Sequence, residues 1–229
     1  MLLFHGFGSD AVHFAELTGL QAAGPAAGFL VAVPDTPRAI RGWQLSGRGT
    51  DATFVSGVVG AVERDNCVDE SAVFAAGFSS GAAFTLAYSC AHQDQIAAIA
   101  TVAAEYQLGC RKPLPILAFH GTADPAVPYQ DGAIGLSLPG VKVRGTERNM
   151  ADWARLDRCR PGPSRTRPSG EIVHEIWTGC AAGSSVQLYT VTGGGHTWPG
   201  ADPKRAVGVT TQQIDASRLI LGFFGAHAS

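Results

Sequence analysis

Apolar residues gather in short runs along the chain: "MLLF" (1–4), "FLVAV" (29–33), "AVFAAGF" (72–78), "IAAIATVAA" (96–104), "LPILAFHG" (114–121) and "VQLYTVTG" (186–193). Their near-continuous hydrophobicity, without polar alternation, predicts strands buried on both faces, as in a parallel sheet. Between them, 51–65, 80–91, 146–158 and 209–225 carry helical patterns. Asp51 and Thr210 are the expected N-caps, since their side-chain oxygens can accept from the free amides of a first helical turn. Strand alternating with helix implies an α/β fold: a mostly parallel sheet, helices on both faces, right-handed crossovers. No repeat or long linker divides the chain, so residues 1–229 are expected to form one domain. Its irregular part is an excursion at 159–185, with an extra strand at 171–177.

In such a sheet, ligands bind beyond the carboxyl ends of the strands. Catalytic candidates should therefore follow strands. "GFSSG" (77–81) follows the run 72–78 and precedes an Ala-rich helix. A G-x-S-x-G turn from strand into helix lifts the central serine, Ser79, above the sheet, and leaves the amide of Ser80 facing a developing oxyanion. The string alone is weak evidence in a chain with 29 glycines; the strand before it and the helix after it strengthen it. Asp124 follows the run 114–121 in "HGTADPAVPY", where it either orients a histidine or begins an Asx turn. His196 follows three glycines in "GGGHTWPG". Such a triplet costs backbone entropy, and a loop that passes close to other backbone while presenting an imidazole would account for it. "LFHGFG" (3–8) ends a strand like an oxyanion loop, with the amide of Phe7 as donor. His5 and His120, each before a glycine, are expected to bond locally. Phe78, Trp43 and Trp198 either line an acyl pocket or pack as ordinary aromatics. The order Ser79, Asp124, His196 is nucleophile, acid, base.

Composition adds limits. With 45% hydrophobic and 16% charged residues the chain is globular, and a net charge of −2 argues against a nucleic-acid or polyanion partner. The arginines 155, 158, 160, 165 and 167 read as a solvated cluster. No apolar run approaches the roughly 20 residues of a membrane span. The chain begins inside a strand, as expected of a processed or N-terminally shortened form. The five cysteines lack metal-site spacing, so no metal is expected. Cys159 with Cys180, and Cys90 with Cys110, could form disulfides that leave Cys67 as a buried thiol; alternatively all five are small core residues. The oxidised reading implies an extracytoplasmic protein.

The segments "LFHGFG", "AAGFSSGA", "FHGTADPAVPY", "WTGC" and "GGGHTWPG" together resemble the esterases of the polyhydroxybutyrate depolymerase-like and feruloyl or acetylxylan esterase-like group, from His5 to about Phe224. The resemblance implies an α/β-hydrolase fold, here N-terminally shortened, and a secreted, cofactor-free carboxylic ester hydrolase. It makes Ser79 the nucleophile, Asp124 the acid and His196 the base, and matches Cys159 and Cys180 to disulfide-bonded positions. A monomer acting on a small-molecule or polymeric ester is the expectation. The alternatives are an acyltransferase on the same scaffold and a non-catalytic carbohydrate- or polymer-binding module.

Overall fold

The computed structural model describes residues 1–36, 42–106, 108–134, 141–205 and 207–228. Its strands are β1 (Leu2–Phe4), β2 (Phe74–Phe78), β3 (Ala98–Val102), β4 (Ile116–Gly121), the short pair β5 (Gly132–Ala133) and β6 (Lys142–Val143), β7 (Ser164–Thr166), β8 (Ile172–Trp177) and β9 (Val186–Val191). The helices are α1 (Ala11–Thr18), α2 (Leu20–Ala23), α3 (Thr50–Asp65), α4 (Ser80–Ala91), α5 (Thr146–Leu156) and α6 (Ala216–Gly225). Seven strands form one sheet in the order β1-β2-β3-β4-β9-β8-β7. From β1 to β9 the neighbours run parallel, while β8 and β7 continue the sheet antiparallel.

Successive strand residues point to opposite faces, and here both faces are covered. Leu2, Phe4 and Ala75 pack with Val55 of α3, Phe84 of α4 and Trp153 of α5. Leu3, Phe74 and Ala76 pack with Phe14 of α1 and Ile220 and Phe224 of α6. That two-sided burial is why the strands read as unbroken apolar runs. A fully buried ring such as Phe4 contributes roughly 2–3 kcal/mol by the area it removes from water.

Several expectations are corrected. Residues 29–33 form no strand: a single parallel bridge joins Ala32 to Leu2, with Leu3 N donating to Ala32 O at 2.9 Å. Helix α3 is capped by Gly49, not Asp51; the Asp51 carboxylate is buried and accepts instead from Gln44 N at 2.7 Å. Helix α6 begins at Ala216 with Asp215 as its cap, accepting from Arg218 N, so Thr210 caps nothing. Residues 207–211 lie instead against the loop that carries His196, where backbone pairing outweighs helical propensity. Helix α1 escaped the sequence reading although its signals were present. Asp10 accepts from His13 N at the start, and Gly19 adopts φ 63° at the end.

Cys90–Cys110 and Cys159–Cys180 are disulfides, and Cys67 is exposed rather than a buried thiol. Beside the second bridge, buried Asp157 accepts from Leu114 N at 3.2 Å and from the Ser184 hydroxyl, joining the approach to β4 with the loop before β9. Burial pushes its carboxyl up to about 6, the bonds from Ser184 and Leu114 offsetting part of the effect. The folded state thus holds this proton more tightly than the unfolded chain. The resulting stabilisation is greatest below pH 4 and is lost as pH rises through about 6. Asp157→Asn, which cannot titrate, should therefore cost about 2 kcal/mol more at pH 4.5 than at pH 7.5. Urea denaturation at the two pH values measures this, and a pH-independent cost would refute it.

Candidate active site

The turn after β2 has the backbone of a forced corner. Ser79 sits at φ 56° and ψ −119°, a conformation rarely adopted by residues other than glycine. Its amide donates to Val102 O of the neighbouring strand at 2.9 Å, and α4 begins at once with Ser80. Gly81 is required here: a Cβ on it would fall 2.0 Å from Phe4 O and 2.4 Å from His5 O. The first turn of α4 therefore rests directly on the end of β1, where the His5–Gly6–Phe7 loop departs. The contact continues at Gly6, where an added Cβ would lie 3.5 Å from Ser79 Cβ. Among the described residues, neither the Phe7 nor the Ser80 amide has a hydrogen-bond partner. The Ser80 amide opens a helix, where backbone donors and the helix dipole favour negative charge.

The carboxyl ends of β4 and β9 bring the next two groups together. Asp124 is buried, and its Oδ1 accepts from Ala126 N and Val127 N, both at 2.8 Å. Its Oδ2 accepts from His196 Nδ1 at 2.7 Å. Burial alone would raise this carboxyl, but hydrogen bonds from His120 and His196 outweigh it and hold Asp124 well below the usual carboxylate range. His196 is placed by a loop clamped on both sides. Its amide donates to Val207 O at 2.8 Å, that of Gly195 to Val209 O at 2.9 Å, and a Cβ on Gly195 would meet Val207 O at 2.6 Å. Close passage of backbone past backbone is thus one reason for the glycine triplet.

Ser79 and His196 line one cavity of about 160 Å³, together with Phe78, Leu17 and Trp198. The Phe78 ring packs tilted by 38° against the imidazole of His196, the two centroids 4.7 Å apart. Among the described residues the Ser79 hydroxyl makes no hydrogen bond. Phe7 reaches the cavity mouth with its ring largely exposed. Trp43 is not brought to the cleft. It is buried against Phe84 at 4.8 Å, and its Nε1 donates to His5 O at 2.9 Å, so it braces the β1 loop from behind. His5 bonds locally through Nδ1, which donates to Gly6 O at 2.8 Å, but its Nε2 also lies 3.2 Å from Asp35 Oδ1, a distant residue in the chain. His120 does more than that: it lies between the carboxylates of Glu105 and Asp124. Glu105 was missed altogether. Its signal was an acidic residue in "AAEY", just beyond the carboxyl end of a buried strand whose one polar residue is Thr101.

A hydroxyl on a strained turn, an imidazole oriented by a buried carboxylate and two free amides are the parts needed to attack a carbonyl and hold its oxyanion. No family model matches the chain. NocK of Nocardia uniformis subsp. tsuyamanensis, a protein named as an esterase, is 32% identical over 259 residues, covering 97% of this chain and 72% of NocK. Feruloyl esterase B of Piromyces equi is 32% identical over 156 residues, 64% of this chain and 28% of its own length. The bifunctional acetylxylan esterase/xylanase of Neocallimastix patriciarum is 25% identical over 209 residues, 88% of this chain and 29% of its own length. Among solved structures, an acetyl xylan esterase from Aspergillus awamori superposes with a TM-score of 0.69 at 16% identity, covering 98% of this chain and 88% of its own. The esterase PE8 gives 0.61 at 15%, covering 99% and 91%. The fold is that of the α/β-hydrolases. Within that class, the chain belongs to the esterase family of NocK, and it is a carboxylic ester hydrolase.

Proposed function

We propose that this hydrolase cleaves acyl esters carried on carbohydrate, of the acetyl or feruloyl type, with Ser79 as nucleophile, His196 as base and Asp124 as the acid that orients it. The observation that carries the reading is the strained backbone of Ser79, in a cavity it shares with the Asp124-bound imidazole. With Nδ1 committed to Asp124, Nε2 of His196 is the free acceptor. A rotation of the serine hydroxyl, bare of partners in the free protein, completes the pair once substrate enters. His196 takes the proton as Ser79 Oγ attacks the ester carbon. The amides of Phe7 and Ser80 receive the oxyanion, each contributing on the order of 3 kcal/mol. Protonated His196 then delivers its proton to the leaving alcohol, and water repeats the sequence on the acyl-enzyme. Phe78, Leu17 and Trp198 offer an apolar wall to the acyl group.

The named activities of the feruloyl and acetylxylan esterase relatives support the acyl type. Two disulfides support an extracytoplasmic site of action. Among the described residues no helix is long and apolar enough to cross a membrane.

The test is covalent labelling by a fluorophosphonate, followed by a panel of p-nitrophenyl acetate, methyl ferulate, acetylated xylan and a hydroxybutyrate oligomer. Labelling is expected on Ser79, with release of acetate or ferulate in preference to hydroxybutyrate. An unlabelled Ser79 would remove the mechanism. Transfer of the acyl group to added glycerol in excess of free acid would recast the enzyme as an acyltransferase.

A further inference from the structure

We infer that Glu105 and His120 form a fixed anion–cation pair behind the site, in which His120 is a positioning residue that keeps the Asp124 carboxylate charged and aimed at His196. The inference rests on the triad proposed above and names what stands behind it.

Each ring nitrogen of His120 faces two oxygens. Nδ1 lies 2.9 Å from Glu105 Oε2 and 3.0 Å from Thr146 Oγ1. The Thr146 proton is already committed to Glu105 Oε1 at 2.7 Å, so its oxygen presents a lone pair to the imidazole. Nε2 lies 3.0 Å from Val127 O and 3.4 Å from Asp124 Oδ2. Every neighbour of both ring nitrogens is therefore an acceptor. A neutral imidazole has one N–H and would turn a lone pair toward a carboxylate or a carbonyl. The side chains of His120 and Glu105 are 0% and 2% exposed, so water has little access to relieve that repulsion. Opposite an ionised Glu105, only the imidazolium satisfies the site. It also supplies the counter-charge that buried Glu105 requires.

The two phenols facing this pair add no charge. The ring of Tyr129 meets His120 edge-on at 5.6 Å, with its hydroxyl bonded to Thr190 and Glu147. The hydroxyl of Tyr106 is buried without a partner among the described residues. Burial raises both phenols, so they stay protonated. Glu147 stands beyond the Tyr129 hydroxyl, and Glu175 beyond it is paired with Arg165. The balance on His120 agrees: burial would lower it, but Glu105 and Asp124 together push it up to about 10. Glu105 is anchored in turn by Trp153, whose Nε1 donates to its carbonyl at 2.9 Å.

With His120 positive, one negative charge is left over between Glu105 and Asp124. That charge is neutralised when His196 takes up the proton from Ser79, so the pair sets how strongly the base holds it. His120→Gln leaves a second negative charge near His196 and should move the acid limb of kcat/KM upward by roughly half a pH unit or more. It should also lower kcat while KM stays close to wild type, because His120 does not line the substrate cavity. Glu105→Gln removes negative charge and should move the limb downward. Opposite directions are the signature that a merely structural role would not produce.

The decisive measurement needs no turnover. Nitrogen-15 NMR of the Ser79→Ala protein, selectively labelled at histidine, should show both ring nitrogens of His120 protonated up to about pH 8. A His120 with one bare nitrogen there overturns the inference, whatever the variants do. Limbs that stay put in folded His120→Gln and Glu105→Gln, or that move together, overturn it as well. If His120→Gln does not fold, the NMR result and Glu105→Gln decide. Loss of the serine mechanism would show instead as an unlabelled Ser79, and would leave the protonation of His120 untouched.

Discussion

Ser79→Gly is expected to abolish ester hydrolysis and to stabilise the fold in the same step. Glycine adopts φ 56° without a Cβ penalty, whereas any other residue there stores about 1–3 kcal/mol of strain. The greater freedom of glycine in the unfolded chain returns roughly 0.5–1 kcal/mol of that gain. A net stabilisation of about 1 kcal/mol over wild type should remain. The backbone bond from residue 79 to Val102 O is kept in the variant, so the corner itself survives. Activity should fall by on the order of 10⁵-fold or more, as when a serine nucleophile is removed from a complete triad. Ser79→Ala is the companion experiment. It should lose the same activity without gaining stability, since alanine shares the strain. Calorimetry and p-nitrophenyl acetate hydrolysis on both variants test the pair of effects. A Ser79→Ala protein that keeps a percent of wild-type activity, or a Ser79→Gly protein less stable than Ser79→Ala, would contradict the account.

Asp124→Asn should be nearly as damaging, for a different reason. The carboxylate accepts four contacts: two amides on Oδ1, His196 Nδ1 on Oδ2, and His120 Nε2 nearby. An asparagine can keep its oxygen on the two amides, but its NH₂ group then faces two ring nitrogens that are themselves donors. His196 would have to reverse its tautomer, placing the proton on the nitrogen that should accept it from Ser79. A fall in kcat of about 10⁴-fold is expected, with KM little changed. His120 would lose one of its two carboxylates, so stability should fall too, by about 1–3 kcal/mol for donors left facing donors in a buried site. Steady-state kinetics and urea denaturation measure the two losses. Retention of more than a tenth of kcat would mean that Asp124 does not set the tautomer.

Much of this architecture was readable along the chain. The apolar runs at 72–78, 96–104, 114–121 and 186–193 became β2, β3, β4 and β9 with trimmed ends. The extra strand at 171–177 appeared as β8, and the disulfide pairing Cys90–Cys110 and Cys159–Cys180 was within reach of spacing and resemblance. The failures share a cause. Segment 29–33 has the composition of a strand but meets β1 through only one bridge, and residues 209–215 drop out of the expected helix, with 207–211 pairing instead with the His196 loop. Trp43 looked like a cleft aromatic, yet its flat stack on Phe84 holds it in the core.

What the sequence alone determined is whatever depends on neighbours a few residues apart. That covers the strand-turn-helix corner around Ser79, the glycines that permit it, and the chain order of hydroxyl, carboxylate and imidazole. What only the tertiary structure decided is which distant groups share the rim of the sheet. Glu105 and His120 stand 15 residues apart, and Asp124 and His196 stand 72 apart. Buried charges are matched by which strand ends lie side by side, and the order β3-β4-β9 brings these together. Local propensity carries no record of that order, because strand adjacency is settled by packing both faces of the sheet at once.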